Sequence, residues 1–426
     1  MAGPISQSSV TLSDPAKNSH FAFAAMTTLF FIWGFITALN DILIPHLKAA
    51  FDLNYTQAML VQFCFFGAYF IVSPFAGKLI EKIGYIRGII TGLVTIAIGC
   101  GLFYPAAEVE VYAVFLLGLF ILASGVTILQ VSANPYVAVL GPEKTATSRL
   151  SLAQAINSVG HTLGPMFGAA LIFAAAGVAS EEAEISAKAV QFPYLLLAGV
   201  MIATAIGFKF LKLPTIKAHE DVQEDKSSDS IWSHKALIFG TVAIFFYVGA
   251  EVSIGSFLVN YFSQPDIAGL NERQASHMVS YYWGAAMIGR FVGAALTRII
   301  APIYVLAFNS AIAIILLFTT MNTQGEVAMW TVISIGFFNS IMFPTIFTLA
   351  IRGLGPLTGR GSGLLCQAIV GGAILPLIQG YVADISSVQF SFIVPVAAYI
   401  YIAWYALVGS KLTPSELKQL AQEDQA

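Results

Sequence analysis

"PTIKAHEDVQEDKSSDSIWSH", residues 214–234, is the longest charged, serine-bearing stretch in the interior of this 426-residue chain. What flanks it is apolar. Hydrophobic residues make up 57% of the chain and charged ones 10%, against about a quarter charged in soluble domains. Stretches of about 18 or more mostly apolar residues, long enough to cross a bilayer as helices, lie at 22–46, 56–80, 87–106, 111–139, 149–175 and 191–211 before it. After it come 236–262, 274–299, 302–320, 327–351, 361–383 and 389–410. The sequence predicts an all-α membrane protein of twelve transmembrane helices, six on each side of a linker. The expected parts are a leader (1–21), an N-terminal six-helix bundle (22–213), the linker (214–234), a C-terminal six-helix bundle (235–411) and a tail (412–426).

The halves echo one another. "NPYVAVLGPEKTATSRLSLAQAI" (134–156) and "FPTIFTLAIRGLGPLTGRGSGLLCQAI" (343–369) both read Pro, LGP, Arg, QAI, and "GAYFIVSPFAGKLIEKIG" from Gly67 corresponds to "GAAMIGRFVGAALTRIIAP" from Gly284. Internal duplication across twelve spans marks transporters built as two pseudo-symmetric bundles with substrate held between them. All but Lys48, Lys188 and Arg273 of the 20 Lys and Arg residues fall on one side of the spans, which places both termini in the cytoplasm. The leader has neither a basic start nor a small-residue cleavage site, so the first span is expected to be retained.

A net charge of −3 with dispersed bases argues against nucleic acid as a partner. The lipid bilayer is the expected surroundings and a monomer the expected state. Cys64, Cys100 and Cys366 sit in apolar spans without metal-ligand spacing, so they read as packing thiols, and no cofactor is implied. Nothing resembles HExxH, GxSxG or a paired His/Cys cluster, which argues against an enzyme.

Two acids interrupt the apolar spans. Asp41, in "FITALNDILIP" (35–45), lies roughly 28 Å along the first helix and shares a face with Thr37 and Asn40. It either faces an interior cavity or snorkels to the nearby surface. Glu251, in "FFYVGAEVSIGSFLVN" (245–260), is near mid-span with Tyr247 one turn before it. It is a functional acid or half of a structural ion pair, for which Arg290 is the nearby base. In "GKLIEKIGYIRG" (77–88), Gly77, Glu81, Lys82 and Arg87 form a charged turn that orients the chain or makes contacts that rearrange between states. Gly160, Gly164 and Gly168 would let helices pack closely.

"LFFIWGFITALNDILIP" (29–45), "VSANPYVAVLGPE" (131–143), "RLSLAQAINSVG" (149–160) and "FPTIFTLAI" (343–351), with the 77–88 loop, carry a resemblance. Over residues 22–410 the chain resembles the fucose/glucose/galactose:cation symporter family of the major facilitator superfamily. The resemblance implies a bacterial inner (plasma) membrane importer of a neutral hexose working by alternating access, with Asp41 as the cation-coupling carboxylate. The fucose branch carries a second acid in the fourth span where this chain has Gln130, which cannot titrate. Either Glu251 takes over that charge, or the cation is Na⁺ held by oxygens from Asp41, Glu251, Asn40 and Thr37; Na⁺ and H⁺ both stay open.

Amides that donate and accept would suit sugar hydroxyls. Gln130 and Asn134 share one face, Gln154, Asn157 and His161 another, and Trp283, Trp33 or Tyr247 would pack the apolar face of a pyranose. Each amide serves equally well as interhelical glue, and His161 reads as a packing histidine. Glucose, galactose or mannose is expected ahead of L-fucose; N-acetylglucosamine and a non-transporting sugar sensor are the alternatives.

Overall fold

The computed structural model describes residues 19–51, 55–175, 187–214 and 230–411. Most of the leader, the linker and the tail lie outside the described residues. A lipid interior offers no water to backbone N–H and C=O groups, so an apolar chain pairs them within helices. The helices are α1 (Ser19–Ala50), α2 (Tyr55–Ile83), α3 (Tyr85–Val109), α4 (Tyr112–Val139), α5 (Ala146–Ala175) and α6 (Gln191–Phe210). Then come α7 (Lys235–Phe262), α8 (Glu272–Leu296), α9 (Pro302–Asn322), α10 (Gly325–Ile351), α11 (Gly355–Ile385) and α12 (Val388–Gly409). Among the described residues there is no strand. Gly84 joins α2 to α3 in a single residue at φ 80°, a left-handed conformation that favours glycine.

The apolar pattern predicts 327–351 as one unbroken span, and the structure divides it into Gly325–Asn339 and Met342–Ile351. Pro344 lies just past the step. Proline has no N–H to offer the carbonyl four residues back, so the Ser340 carbonyl is released, and Arg290 Nε donates to it at 3.3 Å. Pro74 and Pro135, inside α2 and α4, act in the same way. Gln367 Nε2 donates to the Phe70 carbonyl at 3.1 Å and Ser362 Oγ to the Val131 carbonyl at 2.9 Å. Both donors come from α11, in the opposite half.

The halves meet along α2 with α11 and α5 with α8. Near the Lys/Arg-rich loops Glu81 Oε2 pairs with Arg360 Nε at 2.7 Å, the Thr147 and Thr348 hydroxyls are 2.7 Å apart, and Ser148 Oγ donates to the Ala294 carbonyl at 2.6 Å. A Cβ on Gly77 would lie 2.9 Å from the Gly359 carbonyl, so only hydrogen fits there without a shift. Counted equally from Gly67 and Gly284, Gly77 and Ala294 occupy the same place in the two echoing stretches. Each is a point of contact with the opposite half. The echo read from the sequence is thus also an echo of contacts.

Gly160 and Gly164 let α5 press on α1, Gly160 against the Phe31 carbonyl and Gly164 against Ala38 and the Phe35 carbonyl. The surroundings of Gly168 lie outside the described residues. Gly160→Val would force backbone against side chain, and overpacking of this kind costs about 1–3 kcal/mol. The expected result is a thermal melt in detergent several degrees lower than that of the parent; an unchanged melt would show that the seam yields freely.

Candidate functional site

Where the halves face one another they line a partly open cavity of about 150 Å³. Trp33 of α1, Gln130 of α4 and Gln154 of α5 line it from the first half. From the second half come Tyr247, Val248 and Glu251 of α7, Arg290 of α8, Phe343 and Pro344 of α10, and Ile369 of α11. Its walls are aromatic and aliphatic, with two amides and one pair of opposite charges.

Glu251 Oε1 and Arg290 Nη2 are 3.3 Å apart, with side chains 13% and 17% exposed. A charge so poorly hydrated persists only when it is paired and hydrogen-bonded. Two more of the five guanidinium donors go to the Ser158 hydroxyl of α5 and the Ser340 carbonyl. Arg290 therefore touches the cavity acid, its own half and the opposite half. Gln130 Nε2 donates to the Tyr69 hydroxyl, which fixes the amide against α2. The rings of Tyr247 and Phe343 lie 6.4 Å apart, and Trp33 packs on Phe30 at 5.2 Å. Elsewhere in the second half the fully buried Asn339 donates from Nδ2 to the hydroxyls of Tyr282 (2.7 Å) and Tyr399 (3.3 Å).

The structure gathers Gln130, Gln154, Tyr247 and Glu251 of the residues singled out in the sequence, and also Trp33 and Arg290. Others lie elsewhere. Four residues exceed one helical turn by about 40°, and that rotation helps turn Asn134 away from the cavity that Gln130 faces. Asn134 is fully buried, and its amide finds no hydrogen-bond partner among the described residues. Asn157 donates to the Phe30 carbonyl at 2.9 Å and so ties α5 to α1, the interhelical role its chemistry equally allowed. Trp283 is 40% exposed and lies against Gly255, outside the cavity lining.

The Thr37 hydroxyl donates to the Gly34 carbonyl at 2.9 Å and stands 3.5 Å from His161 Nδ1, so His161 is exposed on the face toward α1 and not packed in the core. Asn40 and Asp41 lie within α1, and their side chains fall outside the described residues. Glu81 pairs with Arg360 across the halves beside Gly77, while Lys82 and Arg87 are exposed next to them. Tyr69, Phe343 and Ile369 were not singled out for the cavity. All three fall in quoted stretches, but nothing distinguishes Tyr69 there from its apolar neighbours.

Residues 21–366 match the Major Facilitator Superfamily. The chain belongs to this superfamily. It is 58% identical over 401 residues to a glucose/galactose transporter of Brucella abortus, covering 94% of this chain and 97% of that one. To the L-fucose-proton symporter of Escherichia coli it is 36% identical over 381 residues, covering 85% and 86%. A crystal structure of the E. coli fucose:proton symporter superposes with a TM-score of 0.84 at 32% identity, covering 93% of this chain and 100% of that one. A crystal structure of a superfamily transporter in the outward conformation gives 0.84 at 34% identity, covering 92% and 99%. As a member of the major facilitator superfamily, the protein is a multi-span membrane transporter and not an enzyme.

Proposed function

We propose that the protein imports a neutral hexose with a cation by alternating access, across a bacterial inner membrane with both termini cytoplasmic. Glucose and galactose come first, ahead of mannose, L-fucose and N-acetylglucosamine, and the cation is H⁺ or Na⁺. The cavity carries this reading. Gln130 and Gln154 offer donors and acceptors, Glu251 and Arg290 add an acceptor and donors whose charges cancel, and Trp33 and Phe343 offer apolar faces. A neutral polyol with one apolar face satisfies all of these at once. A net charge on the ligand would meet no opposite excess. The names of the Brucella and E. coli relatives support a sugar.

On this reading the Lys/Arg-rich end faces the cytoplasm. That end is where the halves are bonded together, so the state described is closed toward the cytoplasm. Counterflow of labelled sugars into proteoliposomes, with Na⁺ and pH gradients imposed separately, tests the whole proposal. Glucose and galactose are expected to accumulate under one gradient and not the other. Binding without counterflow would convert the reading into a sensor, and neither binding nor counterflow for any hexose would end it.

The cavity lining makes a finer test. Gln130→Leu and Gln154→Leu each remove one polar partner of the sugar and are expected to weaken binding about tenfold. Trp283→Phe, outside the lining, is expected to change it by less than about twofold, within the spread of surface substitutions. Equilibrium dialysis of labelled glucose reads all three; a larger loss at Trp283 than at either glutamine would move the site toward the outer part of α8.

A further inference from the structure

We propose that Arg290 is a positioning residue that ties occupancy of the cavity to closure of the Lys/Arg-rich end. Its donors are divided among three partners. One arm of the fork reaches Glu251 within the cavity, another reaches Ser158 in the opposite half, and Nε is held by the Ser340 carbonyl that Pro344 releases. Ser158 is buried, and its own hydroxyl proton is committed to the Gln154 carbonyl at 2.9 Å, so its lone pairs are free to accept from the guanidinium. Gln154 itself lines the cavity. Ser158 meets only the backbone carbonyl of Gln154, so Arg290 is the side chain that the cavity and the junction share.

The guanidinium has five N–H donors in fixed directions and three of them are engaged, so turning its plane to meet a further partner in the cavity moves every donor at once. A hexose hydroxyl that takes an Nη donor, or that occupies the Glu251 carboxylate, draws the fork off Ser158 and removes a charge-assisted bond between α5 and α8. Other contacts that join the halves, among them Glu81 with Arg360, Thr147 with Thr348 and Ser148 with the Ala294 carbonyl, involve no cavity-lining side chain. They hold the end closed without registering what the cavity contains. Arg290 supplies the registration. The occupant named here rests on the hexose reading, whereas the tie between Arg290 and Ser158 does not.

The test uses the full-length protein in detergent, with Cys64, Cys100 and Cys366 replaced and Thr147→Cys as the single thiol. Thr147 is 4% exposed at the closed end, so a water-soluble maleimide reaches a cysteine there when the halves part. Ser158→Ala removes the tie and keeps the ion pair; it is expected to raise the sugar-free labelling rate roughly tenfold, the weight of a charge-assisted hydrogen bond. Arg290→Lys keeps the counter-charge but not the fork. It is expected to give a similar rise, and the double variant no more than the larger single one.

Saturating glucose is expected to speed labelling in the parent and to add less than about twofold in Ser158→Ala, because the step it drives has already been taken. A sugar-free rate in Ser158→Ala equal to the parent's would overturn the proposal, as would glucose stimulation undiminished in that variant. Glucose and galactose binding is measured by dialysis on the same samples. If neither sugar binds the parent, the hexose reading fails, and the sugar-free comparison of parent, Ser158→Ala and Arg290→Lys still decides the tie.

Discussion

Glu251→Gln is expected to abolish coupled uptake and to lower the melting temperature together. The substitution keeps the shape of the side chain and removes its charge. Arg290 would then keep a guanidinium only 17% exposed with no counter-charge, and breaking a buried pair from one side costs about 3–5 kcal/mol. Removing both charges avoids most of that cost. Glu251→Gln combined with Arg290→Gln is therefore expected to melt near the parent temperature, yet to remain inactive, because the cavity has lost both polar partners and the junction to Ser158. Thermal melts in detergent and uptake into proteoliposomes separate the two effects. Normal coupled uptake by Glu251→Gln would show that this acid serves structure alone and leave Asp41 with the whole of the coupling.

Asp41→Asn is expected to reduce the steady-state accumulation of sugar to equilibration while leaving exchange of sugar for sugar. Asparagine keeps the size and most of the hydrogen bonding of aspartate but neither titrates nor carries charge, so no cation travels with the sugar. Exchange needs no net cation movement and survives. Uphill uptake against entrance counterflow in the same vesicles reads the difference, and full concentrative uptake at normal expression would refute the assignment. Titrating sugar affinity at constant pH over a range of Na⁺ then identifies the ion. If Na⁺ is coupled, affinity rises with it and sugar raises Na⁺ affinity by the same factor; a flat response leaves H⁺.

The spans were legible because a hydrocarbon solvent permits so little: a long apolar stretch must close its own hydrogen bonds as a helix. The echoing Pro, LGP, Arg and QAI order was legible as repetition, but not in its roles: Arg360 and Gln367 reach the opposite half, whereas Arg149 bonds carbonyls of its own. Positions around a helix were harder. Gln130 and Asn134 share a face to within about 40°, and only the packing of neighbouring helices, α3 and α2 above all, around α4 decides that one looks into the cavity and the other into protein. Arg290 was the candidate base for Glu251, and the structure pairs them, though nothing in the 39 positions between the two showed that their side chains meet. Tyr69 was illegible altogether, because a tyrosine in an apolar span is ordinary until its hydroxyl is found beside an amide.

The prolines in α2 and α4 carry a thermodynamic consequence. The carbonyls they release at Phe70 and Val131 are bonded by Gln367 and Ser362 while the halves are joined. When the halves part, those oxygens need another donor, and water is the one at hand. Opening this end is then a hydration reaction as well as a rotation, with water as a stoichiometric participant. Lower water activity should push the equilibrium toward the joined form, so an excluded osmolyte such as sucrose is expected to slow thiol labelling at residue 147. If the osmolyte left the rate unchanged, the released carbonyls would have to be finding protein partners in both states.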